Sequence, residues 1–157
     1  MTDVAPDRFA TGRAMRMGGL RRHYQGSDAL AGIPGQWSAF TTLLPFPGQQ
    51  GDTTYGIMCG GNADGFEYMC AVEVDSFDTL PPGIGRLRIE PRHYAVFHHE
   101  GRVATIRQTW DAIYHWLEQG EHVSAHKPDF EVYGPDFDTK RMQGLVEIWV
   151  AVERHES

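Results

Sequence analysis

Glu147 and Trp149 are the residues of this chain whose types and spacing best suit chemistry. They stand two apart in GLVEIWVAVE (144–153), where Val146, Ile148, Val150 and Val152 alternate with Glu147, Trp149, Ala151 and Glu153. A two-residue period belongs to a β-strand with two unlike faces, here one aliphatic and one with a carboxylate beside an indole. Such a pair suits a ligand cation. The anion supplies the opposite charge, and each ring adds cation–π attraction of about 0.5–2 kcal/mol. An unpaired carboxylate there is costly, so a raised pKa, or a Tyr or water partner, is expected at Glu147. The plainer explanation is a solvated strand residue, the usual fate of a Glu. The pair gains weight because FEYMCAVEV (66–74) repeats the strand, with Glu67 matching Glu147 and Ala71-Val72-Glu73 matching Ala151-Val152-Glu153. A cleft between two such copies could gather both carboxylates.

Other elements must position these strands. Phe9–Gln25 reads as an interrupted strand, with Gly18-Gly19 marking a bulge or bend. A helical region follows from Ser27 or Asp28. Pro34 suits a first helical turn, and Trp37, Phe40 and Leu44 form one apolar stripe ending before Pro45. After the loop PFPGQQGD (45–52), Tyr55–Cys59 and Phe66–Val74 are strands joined by a turn near Asn62-Ala63-Asp64-Gly65. Asp78–Gly85 is a connector and Arg86–His98 the next strand. Val103–Gln119 is the strongest helix: Ile106, Trp110, Ile113, Tyr114 and Leu117 keep its period, and Gly120 stops it. Phe130–Tyr133 is a short strand, Gly134–Gln143 a polar loop, and 145–153 the closing strand.

The order strand, helix, strand, strand thus occurs twice. RHYQG (22–26) aligns with FHHEG (97–101), and QWSAF (36–40) with TWDAI (109–113). The expected fold is α+β: one domain over residues 1–157, built of tandem duplicated strand–helix–strand–strand modules at about 9–75 and 86–153. It would have an antiparallel sheet, both helices on one face and a ligand cleft between the modules. The opposite face would be left for solvent or a ligand.

A formal charge of −7 and the lack of a Lys/Arg-rich window argue against direct nucleic-acid binding and favour neutral or cationic partners. The sequence has neither a bilayer-length apolar run nor the pattern of a signal peptide, so no membrane association is expected and the cytoplasm is the expected location. Cys59 and Cys70 lack zinc-site spacing and are expected to be free, partly buried thiols. His98 and His99 on a strand point to opposite faces, and His122 and His126 fall in a loop-like stretch, so no metal is expected. Phosphate-loop and Gly-x-Ser-x-Gly patterns are also missing, which excludes those chemistries and leaves no cofactor expected.

YAVFHHEG (94–101), WDAIYHWL (110–117), DFEVYGPDFD (129–138) and VEIWVAVE (146–153) together resemble the GyrI-like family. These are small-molecule-binding domains at the C-terminus of many AraC-type regulators and in standalone bacterial proteins. The resemblance is strong over about 86–153 and weaker over 8–80. It implies the tandem modules and a cleft between them, with a pocket acid on the last strand, here Glu147. The family's Phe-Glu-x-Tyr pattern falls on Phe130, Glu131 and Tyr133. It also implies amphipathic or cationic aromatic ligands, with gyrase inhibition or hydrolysis of reactive cyclopropane-bearing toxins in some members. Eight residues before the first strand are too few for a helix-turn-helix, so a DNA-reading role is expected to need another chain.

The candidate ligand residues are therefore Glu147 and Trp149, Tyr133 beside them across the hairpin, and Glu67 as the repeat counterpart. Met58, Tyr68 and Met69 are candidate wall residues, and thioethers there suit adaptable recognition. Trp37, Phe40 and Trp110 are core residues by their period that could also touch ligand. The preferred function is effector sensing or sequestration of hydrophobic, cationic aromatic molecules. The alternatives are a hydrolase in which Glu147 handles the proton and Tyr133 orients substrate, and a protein-binding module acting on DNA gyrase or on a separate regulator. The binder is preferred because the sequence fixes no second acid–base residue.

Overall fold

Alternating and helical periods resolve into ten strands and two helices in the computed structural model, which describes residues 4–25, 28–62, 65–120, 122–125, 128–138 and 141–154. In chain order they are β1 (Arg8–Thr11), β2 (Met15–Tyr24), α1 (Asp28–Thr41), β3 (Thr54–Asn62), β4 (Gly65–Glu73), β5 (Gly85–Ile89) and β6 (His93–Arg102). A short 3-10 turn at Val103–Thr105 leads into α2 (Ile106–Gln119), followed by β7 (His122–Ser124), β8 (Asp129–Tyr133), β9 (Phe137–Asp138) and β10 (Gln143–Arg154). The strands form one antiparallel sheet in the order β1-β6-β10-β8-β3-β4-β2-β5, with β7 and β9 also pairing with β10. This is an α+β architecture. Read outward from its centre, the sheet runs β3-β4-β2 one way and β8-β10-β6 the other. Each run is a strand–helix–strand–strand unit in the same spatial order.

Parity along the strands separates two cores. On one face α1 and α2 cover Tyr68, Cys70 and Val72 of β4, Ala95 and Phe97 of β6, and Ile148 and Val150 of β10. The other face is not left open. It holds Met17, Ile57, Met69, Ile89, Tyr94, Val96 and Phe130, contributed by the central strands β3 and β8 and by strands toward both ends of the sheet. Chain length explains the closure. β1 and β2 stand six strand steps apart, about 29 Å in a flat sheet. The link from Thr11 to Met15 can span at most about 14 Å. The sheet therefore curls around this face, and residues 12–14 strap across it.

Several local expectations are revised. Gly18-Gly19 makes no bulge, since both residues stay in register with β4 and β5. They are glycine because a Cβ on Gly18 would meet Leu80 at 2.9 Å and one on Gly19 would lie 1.8 Å from the Cys70 carbonyl oxygen. The bulge falls in β3, between Met58 and Gly60. Pro34 sits inside α1, not in its first turn. Arg86–His98 is two strands, broken at Glu90-Pro91-Arg92, one pairing with β2 and the other with β1 and β10. The polar loop 134–143 contains β9 with a buried Phe137. Cys59 and Cys70 are free thiols. The turn residues Ala63 and Asp64, and His126, lie outside the described residues.

The two kinds of glycine should behave oppositely. Gly19→Ala is expected to cost about 3 kcal/mol or more, because rigid backbone blocks the new methyl. Gly35 in α1 has open space where a Cβ would go, so Gly35→Ala should gain about 0.5–1 kcal/mol. Urea unfolding of both variants measures the contrast.

Candidate functional site

β8 carries Asp129, Glu131 and Tyr133 toward the helices and Phe130 and Val132 toward the concave core. Glu131 is 4% exposed. Its Oε2 accepts a hydrogen bond from Trp110 Nε1 at 2.9 Å. Its Oε1 accepts from the Tyr133 hydroxyl at 2.8 Å and the Tyr68 hydroxyl at 3.1 Å. Trp37 Nε1 donates in turn to the Tyr68 hydroxyl at 3.1 Å. Each helix thus sends one indole N–H into the same polar group, α1 through Tyr68 and α2 directly.

Aromatic rings enclose this carboxylate. Trp37 meets Tyr133 edge-on with centroids 5.3 Å apart, and Tyr114 stacks on Trp110 at 5.8 Å. Space for the group comes from Gly56, which faces Glu131 across the β3–β8 ladder. A Cβ there would lie 2.1 Å from the Tyr68 hydroxyl and 2.6 Å from Glu131 Oε1. His99, also buried, is held between Thr109 Oγ1 at 2.6 Å and the Arg102 carbonyl at 2.8 Å.

Burial pushes the Glu131 pKa up; hydrogen bonds from Trp110, Tyr133 and Tyr68, and the field of His99, pull it down without cancelling the rise. Burial, and then the neighbouring Glu131, drive the Tyr68 and Tyr133 phenols well above their ordinary value. All three hydrogen-bond donors to Glu131 are neutral. Among the described residues no ion pair is made to Glu131 at salt-bridge distance. Asp129, on the same strand face, is pushed by burial up to about 7, despite a hydrogen bond from the Ala151 N–H at 2.7 Å.

The fold brings together Trp37, Tyr68, Trp110 and Tyr133 around Glu131, with Met58 packed against both helix-side cores and Phe40, fully buried, edge-on to Trp37 at 5.8 Å. Glu147, Trp149, Glu67 and Met69 lie on the concave face. Trp149 pairs with Phe130 and Glu147 with Val132, so sheet parity turns both away from Tyr133. A proton-handling pair of Glu147 and Tyr133 is therefore not assembled.

Glu147 instead accepts two hydrogen bonds from the Arg8 guanidinium, at 3.1 and 3.3 Å, and one from Trp149 Nε1 at 3.0 Å. His98 Nε2 stands 3.4 Å away. Burial raises the Glu147 pKa, but Arg8, Trp149 and His98 together bring it below its ordinary value. The expected raised pKa is thus reversed. The reason is Arg8, which β1 lays beside β6. Glu67 has its own arginine, Arg21, at 2.6 Å. Met69 is fully buried in the concave core. Glu67 and Glu147 are three strand steps apart, about 14 Å along the sheet, and each is held by its own arginine.

Glu131, Gly56 and His99 were not among the expected ligand residues. The signal for Glu131 was in the sequence: Asp129, Glu131 and Tyr133 share one parity inside an otherwise apolar strand. Nothing local marked that parity as the helix side.

This fold has known relatives. Residues 16–152 match the Cass2 family model, described as integron-associated effector binding protein. The structure of SAV2435 bound to tetraphenylphosphonium superposes with a TM-score of 0.78 at 21% identity, covering 93% of each chain. The integron cassette protein VCH_CASS2, from the mobile metagenome of Vibrio cholerae, gives a TM-score of 0.70 at 18% identity, covering 93% of this chain and 95% of that one. The transcriptional regulator BrlR of Pseudomonas aeruginosa is 35% identical over 89 residues, which is 55% of this chain and 32% of BrlR. The chain therefore spans about a third of that regulator's length. It belongs to the Cass2 family of effector binding proteins, within the GyrI-like class.

The raised carboxyl pKa values carry a stability prediction. A carboxyl that stays protonated when folded binds more protons than the unfolded chain, so stability falls as pH rises from the unfolded to the folded pKa. For Asp129 that window runs from 3.8 to about 7. Asp129→Asn keeps an acceptor for Ala151 and cannot ionise. It should flatten that slope and leave the protein more stable than wild type at pH 8, as measured by urea unfolding across the range.

Proposed function

We propose that this protein binds hydrophobic aromatic cations, with Glu131 as the buried counter-charge and Trp37, Tyr68, Trp110, Tyr114 and Tyr133 as the aromatic surround. The observation that carries the reading is a 4%-exposed carboxylate whose hydrogen-bond donors are all neutral. Such an anion keeps its attraction for a cation that arrives stripped of water. The surrounding rings add cation–π contact. Tetraphenylphosphonium, the ligand named for SAV2435, has this chemistry. Glu147, by contrast, is already neutralised by Arg8. The acidic surface favours the approach of cations.

In this reading the protein senses or sequesters its ligand. The partial match to BrlR supports a link to transcription regulation, in which a separate DNA-reading partner would respond to the loaded domain. Among the described residues no helix is long and apolar enough to cross a membrane, which is compatible with work in the cytoplasm.

Titration with tetraphenylphosphonium tests the proposal. Glu131→Gln keeps the shape and should weaken the cation at least tenfold, about 1.4 kcal/mol, while leaving uncharged triphenylphosphine oxide almost unchanged. Glu147→Gln should leave both unchanged. Cation affinity should also rise with pH as Glu131 ionises, and that dependence should vanish in Glu131→Gln. Equal losses for the two ligands in Glu131→Gln would show that the carboxylate acts by packing and would sink the proposal.

A further inference from the structure

The concave face, opposite the Glu131 group, carries a cavity of about 320 Å³ beneath the strap at residues 12–14. That is near the lower end of ligand pockets, roughly 300–1,000 Å³, and fits one or two rings. Phe130 and Trp149 stack at 5.6 Å with 15° between their planes, and Tyr94 meets both edge-on at 5.4 Å. Tyr55 adds a fourth ring, edge-on to Phe130 at 6.0 Å.

The charges in this wall are balanced internally. Glu147 is held by Arg8, and Arg13 by Glu73, with Arg13 Nη2 at 2.6 Å from Glu73 Oε1. A charged ligand would have to break one of these pairs, whereas an uncharged one leaves both intact. One polar group is unpaired. Tyr94 is 1% exposed, and its hydroxyl is the buried side-chain polar atom without a hydrogen-bond partner among the described residues. A buried hydroxyl normally has a partner, because leaving it unmade carries the full desolvation penalty.

We propose that this cavity is a second ligand site, for a small, flat, uncharged aromatic molecule carrying a hydrogen-bond acceptor for Tyr94. The rings take the aromatic body, and the acceptor completes the orphan hydroxyl. The site lies across the sheet from Glu131, uses none of its residues and does not rest on the cation reading.

Acetophenone is the probe, with ethylbenzene as a control of similar shape that lacks the acceptor. The chain has four tryptophans, and their indole N–H signals in ¹H–¹⁵N spectra report on the two faces separately. Trp149 reports the concave face; Trp37 and Trp110 report the Glu131 group. Acetophenone should shift Trp149 saturably, with a Kd on the order of 0.1–1 mM, and leave Trp37 and Trp110 in place. Tetraphenylphosphonium should do the reverse.

Tyr94→Phe should weaken acetophenone roughly tenfold, to the level of ethylbenzene, and raise the Tm of the unliganded protein by removing the unpaired hydroxyl. Val132→Phe, which fills the cavity from β8, should abolish both probes while cation binding persists. Failure to saturate below about 10 mM would mean that the cavity holds only water, and would overturn the proposal. So would acetophenone shifts at Trp110 that Glu131→Gln removes, or unchanged acetophenone affinity in Tyr94→Phe.

Discussion

The Glu131 carboxylate is the constraint that the helix side of this protein is built to satisfy. Taking a carboxylate out of water costs several kcal/mol even after the protein relaxes. Hydrogen bonds to a charged group return about 1.5–3 kcal/mol each, and Glu131 receives them from three donors on three different elements: β4, β8 and α2. Trp and Tyr are the residues suited to this task because their N–H and O–H groups donate while remaining neutral. An arginine would satisfy the carboxylate better and would quench it. The chain holds the counter-example in Glu147, where Arg8 turns the same kind of acid into an ordinary ion pair with a lowered pKa.

Satisfying Glu131 ties the two halves of the chain together. Tyr68 comes from the first strand–helix–strand–strand unit and Trp110 from the second, and the carboxylate between them stands on a central strand. Gly56 makes the meeting possible, since any side chain there would occupy the place of the Tyr68 hydroxyl. The ring contacts around the group have the same origin. Trp37 packs against Tyr133 while its N–H holds Tyr68, so the wall that encloses the acid also orients its donors.

Much of this was legible in the sequence, and the limit can be located. Period-two and helical patterns placed both helices and the main strands, because burial of one face enforces them. The two indoles of the paired motifs, Trp37 and Trp110, converge on the Glu131 group. Which face of β8 and β10 meets the helices was not legible. That depends on the register of Glu147 with Val132 and Ile148 with Glu131, set by contacts far apart in sequence. Glu147 looked unpaired for the same reason. Its partner, Arg8, is 139 residues away and stands just before the first strand that the local pattern marks, Phe9–Gln25.

The curl of the sheet follows from chain length, and its consequence is chemical. A short link between β1 and β2 forces the ends of the sheet toward each other, which places Arg13 against Glu73 and seats Gly12 on the Tyr94 ring. The concave core becomes aromatic and electrically balanced, whereas the helix side holds an acid whose hydrogen-bond donors are all neutral. One sheet thus presents two environments of opposite character, separated by a single layer of backbone. The two faces differ in how their acids are held: beneath the helices Glu131 takes its hydrogen bonds from neutral donors, whereas on the concave side Glu147 and Glu73 each meet an arginine.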